Sequence, residues 1–183
     1  MAMQRLVGTA APGSALPLEA FSEDARRLPA EEFAARHGSA FLLLTATGPS
    51  PRGGPAATEV NFFGDEGSVH TADLAILVYP LRRRADSVGH LVTLGRAPNN
   101  DVVIPDPSVS RFHAFAKQGA GGTILVQDAG STNGTSVNGA SVPAKDHGPP
   151  TSLERGDTLR LGQVEFTFLD AAGMRGFALE TGA

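Results

Sequence analysis

The feature that most constrains the fold is a series of short strand-like segments that begins at residue 75. The segments are residues 75–81, 91–94, 102–104, 112–117, 123–127, 135–137, 158–161 and 164–169. Clusters of Gly, Asn, Asp and Pro separate them, and no helical period intervenes. Strands at this spacing without crossover helices are typical of antiparallel sheets, so the sequence predicts an all-β fold, an antiparallel β-sandwich.

Helical periodicity is confined to residues 18–38, ahead of the strands. Phe21, Ala25 and Leu28 recur at helical spacing, Pro29 ends one helix and begins a second, and Gly38 caps the second. An apolar run at residues 40–46 predicts a buried strand, and residues 58–63 and 69–71 predict two more. We therefore expect a small N-terminal α+β extension. Either it is a separate unit or its strands pad the sandwich, and the apolar runs favour packing.

These patterns divide the chain into four parts. Residues 1–17 are predicted to be a disordered tail, residues 18–73 the α+β extension of unknown role, residues 74–170 the sandwich domain, and residues 171–183 a C-terminal tail.

Composition excludes several classes of protein. The net charge of −4, from 15 Lys+Arg against 19 Asp+Glu, gives no general attraction to nucleic acid. The run of three arginines at residues 82–84 is expected to be a solvated strand end or turn. No apolar run is long enough for a membrane span, and no cysteine is present for a disulfide or thiolate site. We expect a cytoplasmic protein that binds neither nucleic acid nor membrane.

A search for catalytic motifs finds none. The sequence lacks a P-loop, a dinucleotide-binding glycine motif opening a helix, and a nucleophile elbow, and its five histidines show no metal-ligand spacing. We therefore expect no enzyme activity, no metal and no cofactor.

Four polar features follow in order on the predicted loops. They are residues 94–96, residues 99–104 with 107–113, residues 128–135 with 137–139, and residues 153–157 with 158–162. Each alone is explained by turn formation, above all Asn133-Gly134 and Asn138-Gly139. Together a guanidinium, two hydroxyls and an amide on neighbouring loops are the donors that hold a phosphate dianion.

In the order and spacing of these pieces, roughly residues 92–169 resemble the forkhead-associated (FHA) domain, a phosphothreonine-binding β-sandwich of the FHA/SMAD-like type. The resemblance implies that Arg96 and Ser110 bind the phosphate and that Arg111 adds a cation to the rim. It implies that Thr132 contacts the phosphate side and that Asn133 holds the backbone of the bound peptide.

The same resemblance implies an architectural role for the remaining motif positions. These are Gly95, His113, Gly134, Asn138 and Gly139, with His113 bracing the loops by hydrogen bonds rather than acting as a base.

The function implied is a phosphothreonine-dependent interaction module, a signalling adaptor downstream of a serine/threonine kinase. Its partner would be a phosphothreonine-containing protein, either such a kinase or its substrate. The alternative is a scaffold or assembly subunit that uses the same sandwich for phosphate-independent binding. Usage rich in Ala, Gly and Arg suggests a bacterial source.

Overall fold

A computed structural model describes residues 13–44, 76–87, 89–119 and 123–181 of this chain. The strands predicted at residues 58–63 and 69–71 lie outside the described residues.

Twelve strands and three helices make up the described structure. The strands are β1 (Leu16–Pro17), β2 (Ala40–Leu44), β3 (Leu77–Pro80), β4 (Val92–Gly95), β5 (Val102–Val103), β6 (Ala114–Gln118), β7 (Ile124–Asp128), β8 (Thr135–Val137), β9 (Ala140–Ser141), β10 (Thr151–Leu153), β11 (Thr158–Leu161) and β12 (Val164–Asp170). The helices are α1 (Glu19–Arg27), α2 (Ala30–His37) and α3 (Ala171–Thr181).

The strands form two sheets packed as a sandwich, which confirms the predicted fold class. One sheet has the order β1-β3-β2-β12-β11-β8-β9 and the other β10-β7-β6-β4-β5. All pairings are antiparallel except β4 with β5, where Leu94 lies opposite Val102 in a parallel pair. Residues 96–101 carry the chain back to the start of β5, which then runs beside β4 in the same direction. The sequence did not predict this parallel pair.

Strand β2 explains why residues 40–46 read as a continuous apolar run. Its side chains alternate between two cores, as strand geometry requires. Ala40 and Leu42 join the core between the sheets. Phe41 and Leu43 join a second core on the outer face of the same sheet. Because β2 pairs with both β3 and β12, the N-terminal segment supplies an inner strand of the sandwich.

The second core lies beneath the three helices. Phe21 of α1, Phe33 of α2 and Met174 of α3 are each buried there. Asp24 joins α1 to α2, because its carboxylate accepts hydrogen bonds of 2.9 Å from Arg36 Nη1 and lies 2.9 Å from His37 Nε2. The helices thus cover one face of the seven-stranded sheet and leave its other face to the sandwich core.

Two expectations about the chain ends need correction. Residues 171–183 were expected to be a tail, but α3 spans Ala171–Thr181. It buries Met174 and Ala178 because α1, α2 and the sheet offer them an apolar surface. Within the expected disordered segment 1–17, strand β1 pairs with β3, and the Gly13 carbonyl accepts a 2.8 Å hydrogen bond from the Val103 amide.

Strand direction separates the two ends of the sandwich. Strands β4, β7 and β11 run toward one end, and β6, β8 and β12 start there. The loops at this end hold residues 96–101, 108–113, 129–134 and 162–163. The predicted binding residues therefore meet at a single end of a rigid frame.

Candidate functional site

Backbone hydrogen bonds hold the loop after β4 against the loop before β6. The Arg96 amide donates to the Ser110 carbonyl at 3.0 Å, and the Ala97 amide donates to the Arg111 carbonyl at 3.2 Å. Arg96 and Ser110 are thus adjacent across a short ladder, although they are far apart in sequence. The Arg96 side chain is exposed, as a group that meets a ligand from solvent must be.

Ser110 and Thr132 come together from different loops. The Thr132 amide donates to Ser110 Oγ at 3.0 Å, and the two hydroxyl oxygens lie 3.5 Å apart. Ser110 Oγ accepts the amide proton and donates to Thr132 Oγ1 in a long bond, from which the hydroxyl proton can rotate toward a ligand. The two hydroxyls form one pair of donors beside Arg96.

His113 ties these loops together from beneath and is completely buried. The Ser110 amide donates to Nδ1 at 3.0 Å, so the ring proton is on Nε2, which donates to the Gly134 carbonyl at 3.1 Å. Burial, set against the Gly134 hydrogen bond and the nearby Asp128 charge, lowers the pKa of His113 from its ordinary value of 6.5. A neutral ring with both nitrogens bonded connects the loop before β6 to the loop before β8.

Asp128, at the end of β7, is the residue that organises the Ser131–Thr135 run, and the sequence analysis gave it no role although it begins one of the four polar features. Its Oδ1 accepts the amides of Gly130 and Ser131 at 2.7 and 2.8 Å. Its Oδ2 accepts the hydroxyls of Ser131 and Thr135, both at 2.6 Å. Burial would raise the pKa of Asp128, but the bonds from Ser131 and Thr135 outweigh it and lower the pKa. An Asp that precedes a turn often accepts the backbone amides two and three residues later, and this Asx pattern could have been recognised in the sequence.

Gly95 is required by the close approach of the two loops. A Cβ at this position would overlap the Arg111 carbonyl and lie 2.9 Å from Asn100 Nδ2. That amide donates to the carbonyls of Ala97 and Arg111 at 2.9 and 2.7 Å, closing the turn that follows Arg96. Asn100 was a second organising residue not singled out from the sequence.

Asn133 and Arg111 lie on the outer surface of these loops, and both are exposed. Asn133 Nδ2 donates to the Ser108 carbonyl at 2.7 Å, which fixes the amide plane and leaves its Oδ1 facing away from that bond. Gly134 accepts from both His113 and, at 3.0 Å, the Gly162 amide. Phe112 beside Arg111 is 47% exposed, the large apolar side chain most open to solvent among the described residues.

Asn138 and Gly139 are not part of this cluster. They form the positive-φ turn between β8 and β9, with φ of 50° and 79°. Asn138 Nδ2 donates to Asp157 Oδ1 at 2.7 Å, and the Thr158 amide donates to Asn138 Oδ1 at 2.8 Å. Their contacts brace the loop between β10 and β11, at the end of β8 away from Thr132.

The cluster brings two hydroxyls together from different loops, and the exposed Arg96 side chain belongs to a neighbouring loop. Guanidinium and hydroxyl groups are donors suited to an anion. Within the described ranges, no three histidine or acidic side chains are grouped to hold a metal ion. None of the three helices is both long and apolar enough to cross a bilayer.

Comparison with known proteins identifies this part of the chain. Residues 92–162 match the family model of the FHA domain. The chain is 36% identical over 111 residues to an ABC transporter ATP-binding/permease protein of Mycobacterium tuberculosis, covering 58% of this chain and 12% of that protein. It is 37% identical over 75 residues to the glycogen accumulation regulator GarA of Mycolicibacterium smegmatis, covering 41% of this chain and 43% of GarA. The match therefore spans less than half the length of these relatives.

Solved FHA domains give a looser match. A structure from a study of phosphothreonine-dependent FHA domain interactions is 26% identical, covering 71% of this chain and 94% of that chain, with a TM-score of 0.43. The FhaA FHA domain is 33% identical, covering 50% and 87% of the two chains, with a TM-score of 0.40.

Proposed function

Residues 92–162 of this chain are an FHA domain, and from that premise we propose that the chain is a phosphothreonine-dependent binding module, an adaptor downstream of a serine/threonine kinase. The observation that carries the proposal is the junction of Ser110 and Thr132, 3.0 Å from amide to hydroxyl, beside Arg96. The partner is a phosphothreonine-containing protein, a kinase of this class or its substrate. No step in the proposal is catalytic.

The physical basis of the switch is the change in charge and acceptors when threonine is phosphorylated. An unmodified threonine brings one hydroxyl, whereas phosphothreonine brings about −2 charge and three acceptor oxygens. Arg96, Ser110 and Thr132 supply charged and neutral donors that an unmodified side chain cannot satisfy. Phosphorylation of the threonine should therefore decide whether the peptide binds.

Each further residue has a place in this proposal. Arg111 adds positive charge at the rim, and Asn133, held by the Ser108 carbonyl, presents its amide to the backbone of the bound peptide. The contact is small and the peptide must be ordered on binding, so we expect a micromolar dissociation constant, which corresponds to a binding free energy of about −8 kcal/mol.

The test is calorimetric titration of the full chain with a degenerate phosphothreonine peptide pool and the matching unphosphorylated pool. Calorimetry suits a protein with no tryptophan and one tyrosine. We expect heat from the phosphorylated pool alone, and its loss in Arg96→Ala. The matched control is Arg26→Ala, an exposed arginine on α1 far from these loops, which should bind as the wild type does.

Two results would contradict the proposal. Equal heat from both pools would show binding that ignores the phosphate, as the scaffold alternative requires. Normal binding by the Arg96→Ala protein would show that the Arg96 guanidinium does not take part in binding the phosphate.

A further inference from the structure

The end of the sandwich opposite the binding loops holds a cavity of about 330 Å³. Its floor is apolar and includes Val92 of β4 and Ala116 of β6, which face each other across the sheet. Its rim carries Arg82, Arg83, His90 and Lys117. We call this feature the basic cavity.

The basic cavity concentrates cations in a chain that is acidic overall. No Asp or Glu among the described residues lines it, although the chain's net charge is −4. Within the described part of the chain, Arg82 and Lys117 have no side-chain hydrogen bond or ion pair, and Arg83 donates only to the Ser87 carbonyl. Arg82 and Arg83 come from one segment of chain and Lys117 from another, and their like charges repel one another unless an anion lies between them.

A neighbouring cavity provides a contrast. It is lined by Arg82, Arg83 and Arg84 but also by Asp86 and Asp101, and Arg84 pairs with Asp86 at 3.0 Å. There the protein itself supplies two carboxylates, one of which pairs with Arg84. In the basic cavity the described residues provide no such acid.

We propose that the basic cavity binds a small organic oxyanion, a carboxylate or phosphate attached to an apolar group. Arginine forks match the geometry of either oxyanion, and the apolar floor takes the remainder of the molecule. The volume lies within the range of small-molecule sites. This assigns a function to Arg82 and Arg83, two members of an arginine run that the sequence suggested was only a solvated strand end or turn.

The basic cavity is independent of the phosphothreonine site. Val92 opens β4 and Arg96 follows its other end, so the two sites are separated by about 13 Å of strand. The proposal does not rest on the function assigned to Arg96, and each can fail without the other.

The experiment is a titration of the isotope-labelled full chain followed by backbone amide shifts. The probes are phenyl phosphate and benzoate, with phenol as the uncharged analogue and sodium chloride at matched ionic strength. We expect saturable shifts at Arg82, His90 and Lys117 with at least one anion, with a dissociation constant on the order of 1 mM. Binding of one anion alone identifies the oxyanion.

Charge-matched double variants decide whether the named side chains bind the probe. Arg82→Gln with Lys117→Gln should weaken binding at least tenfold. Arg26→Gln with Lys145→Gln removes the same charge from exposed positions elsewhere and should leave it within twofold. Phenyl phosphate shifts centred on Ser110 that vanish in Arg96→Ala belong to the other site and are scored separately.

Several results would overturn the proposal. These are no saturable shift at the basic cavity with either anion, an equal response to phenol or sodium chloride, or equal weakening in the two double variants.

Discussion

Asp128→Asn is expected to destabilise the protein, although the side chain keeps its size. Asp128 is 4% exposed and accepts four hydrogen bonds, two from amides at 2.7 and 2.8 Å and two from hydroxyls at 2.6 Å. Asparagine still accepts the two amides, but as a neutral group. Its Nδ2 replaces Oδ2, so the hydroxyls of Ser131 and Thr135 must turn round to accept instead of donate.

The size of the effect follows from the difference between charged and neutral hydrogen bonds. A bond to a charged group contributes about 1.5–3 kcal/mol and a neutral one about 0.5–1.5 kcal/mol. Losing about 1 kcal/mol at each amide bond gives about 2 kcal/mol, and the reversed hydroxyls add to this. Asp128→Ala removes every acceptor and leaves buried donors unsatisfied, so it should cost about 4 kcal/mol or more.

The assay is urea unfolding of the two variants against the wild type at pH 7. Asp146→Asn is the matched control, because Asp146 is exposed and its φ of 71° suits asparagine equally well. The folded-state pKa of Asp128 is depressed, so the wild-type advantage should hold above about pH 4 and disappear as the pH falls through the folded pKa. An Asp128→Asn protein within 0.5 kcal/mol of the control, a threshold of about the size expected of surface substitutions, would refute the reasoning.

Three further perturbations test other parts of the structure. Gly95→Ala forces a Cβ into the Arg111 carbonyl and should cost about 2 kcal/mol by urea unfolding, whereas Gly176→Ala on α3, with open space at its Cβ, should be neutral or stabilising. Because the pKa of buried His113 is lowered, the unfolded chain binds the extra proton, so stability should be constant above pH 6.5 and fall below it by up to about 1.4 kcal/mol per pH unit. A His113→Gln variant should show a flatter profile over pH 5–7, and a profile as steep as that of the wild type would contradict this. Met174→Ala should cost about 2–5 kcal/mol in a single unfolding transition, against no change for exposed Glu180→Ala. Two separate transitions would show that α3 folds apart from the sandwich.

The strands were predictable because their pattern is local. Thr135–Val137 and Thr158–Leu161 have the predicted bounds, and the other predicted strands that the structure describes shift by a few residues at their ends. Strands β1, β9 and β10 were not predicted, because segments of two or three residues carry little local pattern. Helix α3 was missed because Gly173 and Gly176 weaken its local propensity. What stabilises it is burial of Met174 and Ala178 in the core that α1, α2 and the sheet form together, and that core exists only in the folded protein.

At the site, the groups placed outward were easier to predict than the groups that hold them. Arg96, Ser110 and Thr132 were proposed as binding residues from the family resemblance, and the structure brings Ser110 and Thr132 into contact. Asp128 and Asn100 were not singled out, because a buried acceptor and an exposed turn former look alike in a sequence. Only the partners reveal the difference, such as the four donors around Asp128.

The pairing of β2 with β12 has a consequence for synthesis on the ribosome. Ala40 and Asp170 are partners in the sheet although they are roughly 130 residues apart in the chain. Strand β2, apolar on both faces, is synthesised roughly 120 residues before β12 and stays without this partner until β12 has been translated. Chains interrupted before residue 164 would lack that partner altogether, so we expect them to aggregate or to be degraded rather than to accumulate as partly active fragments.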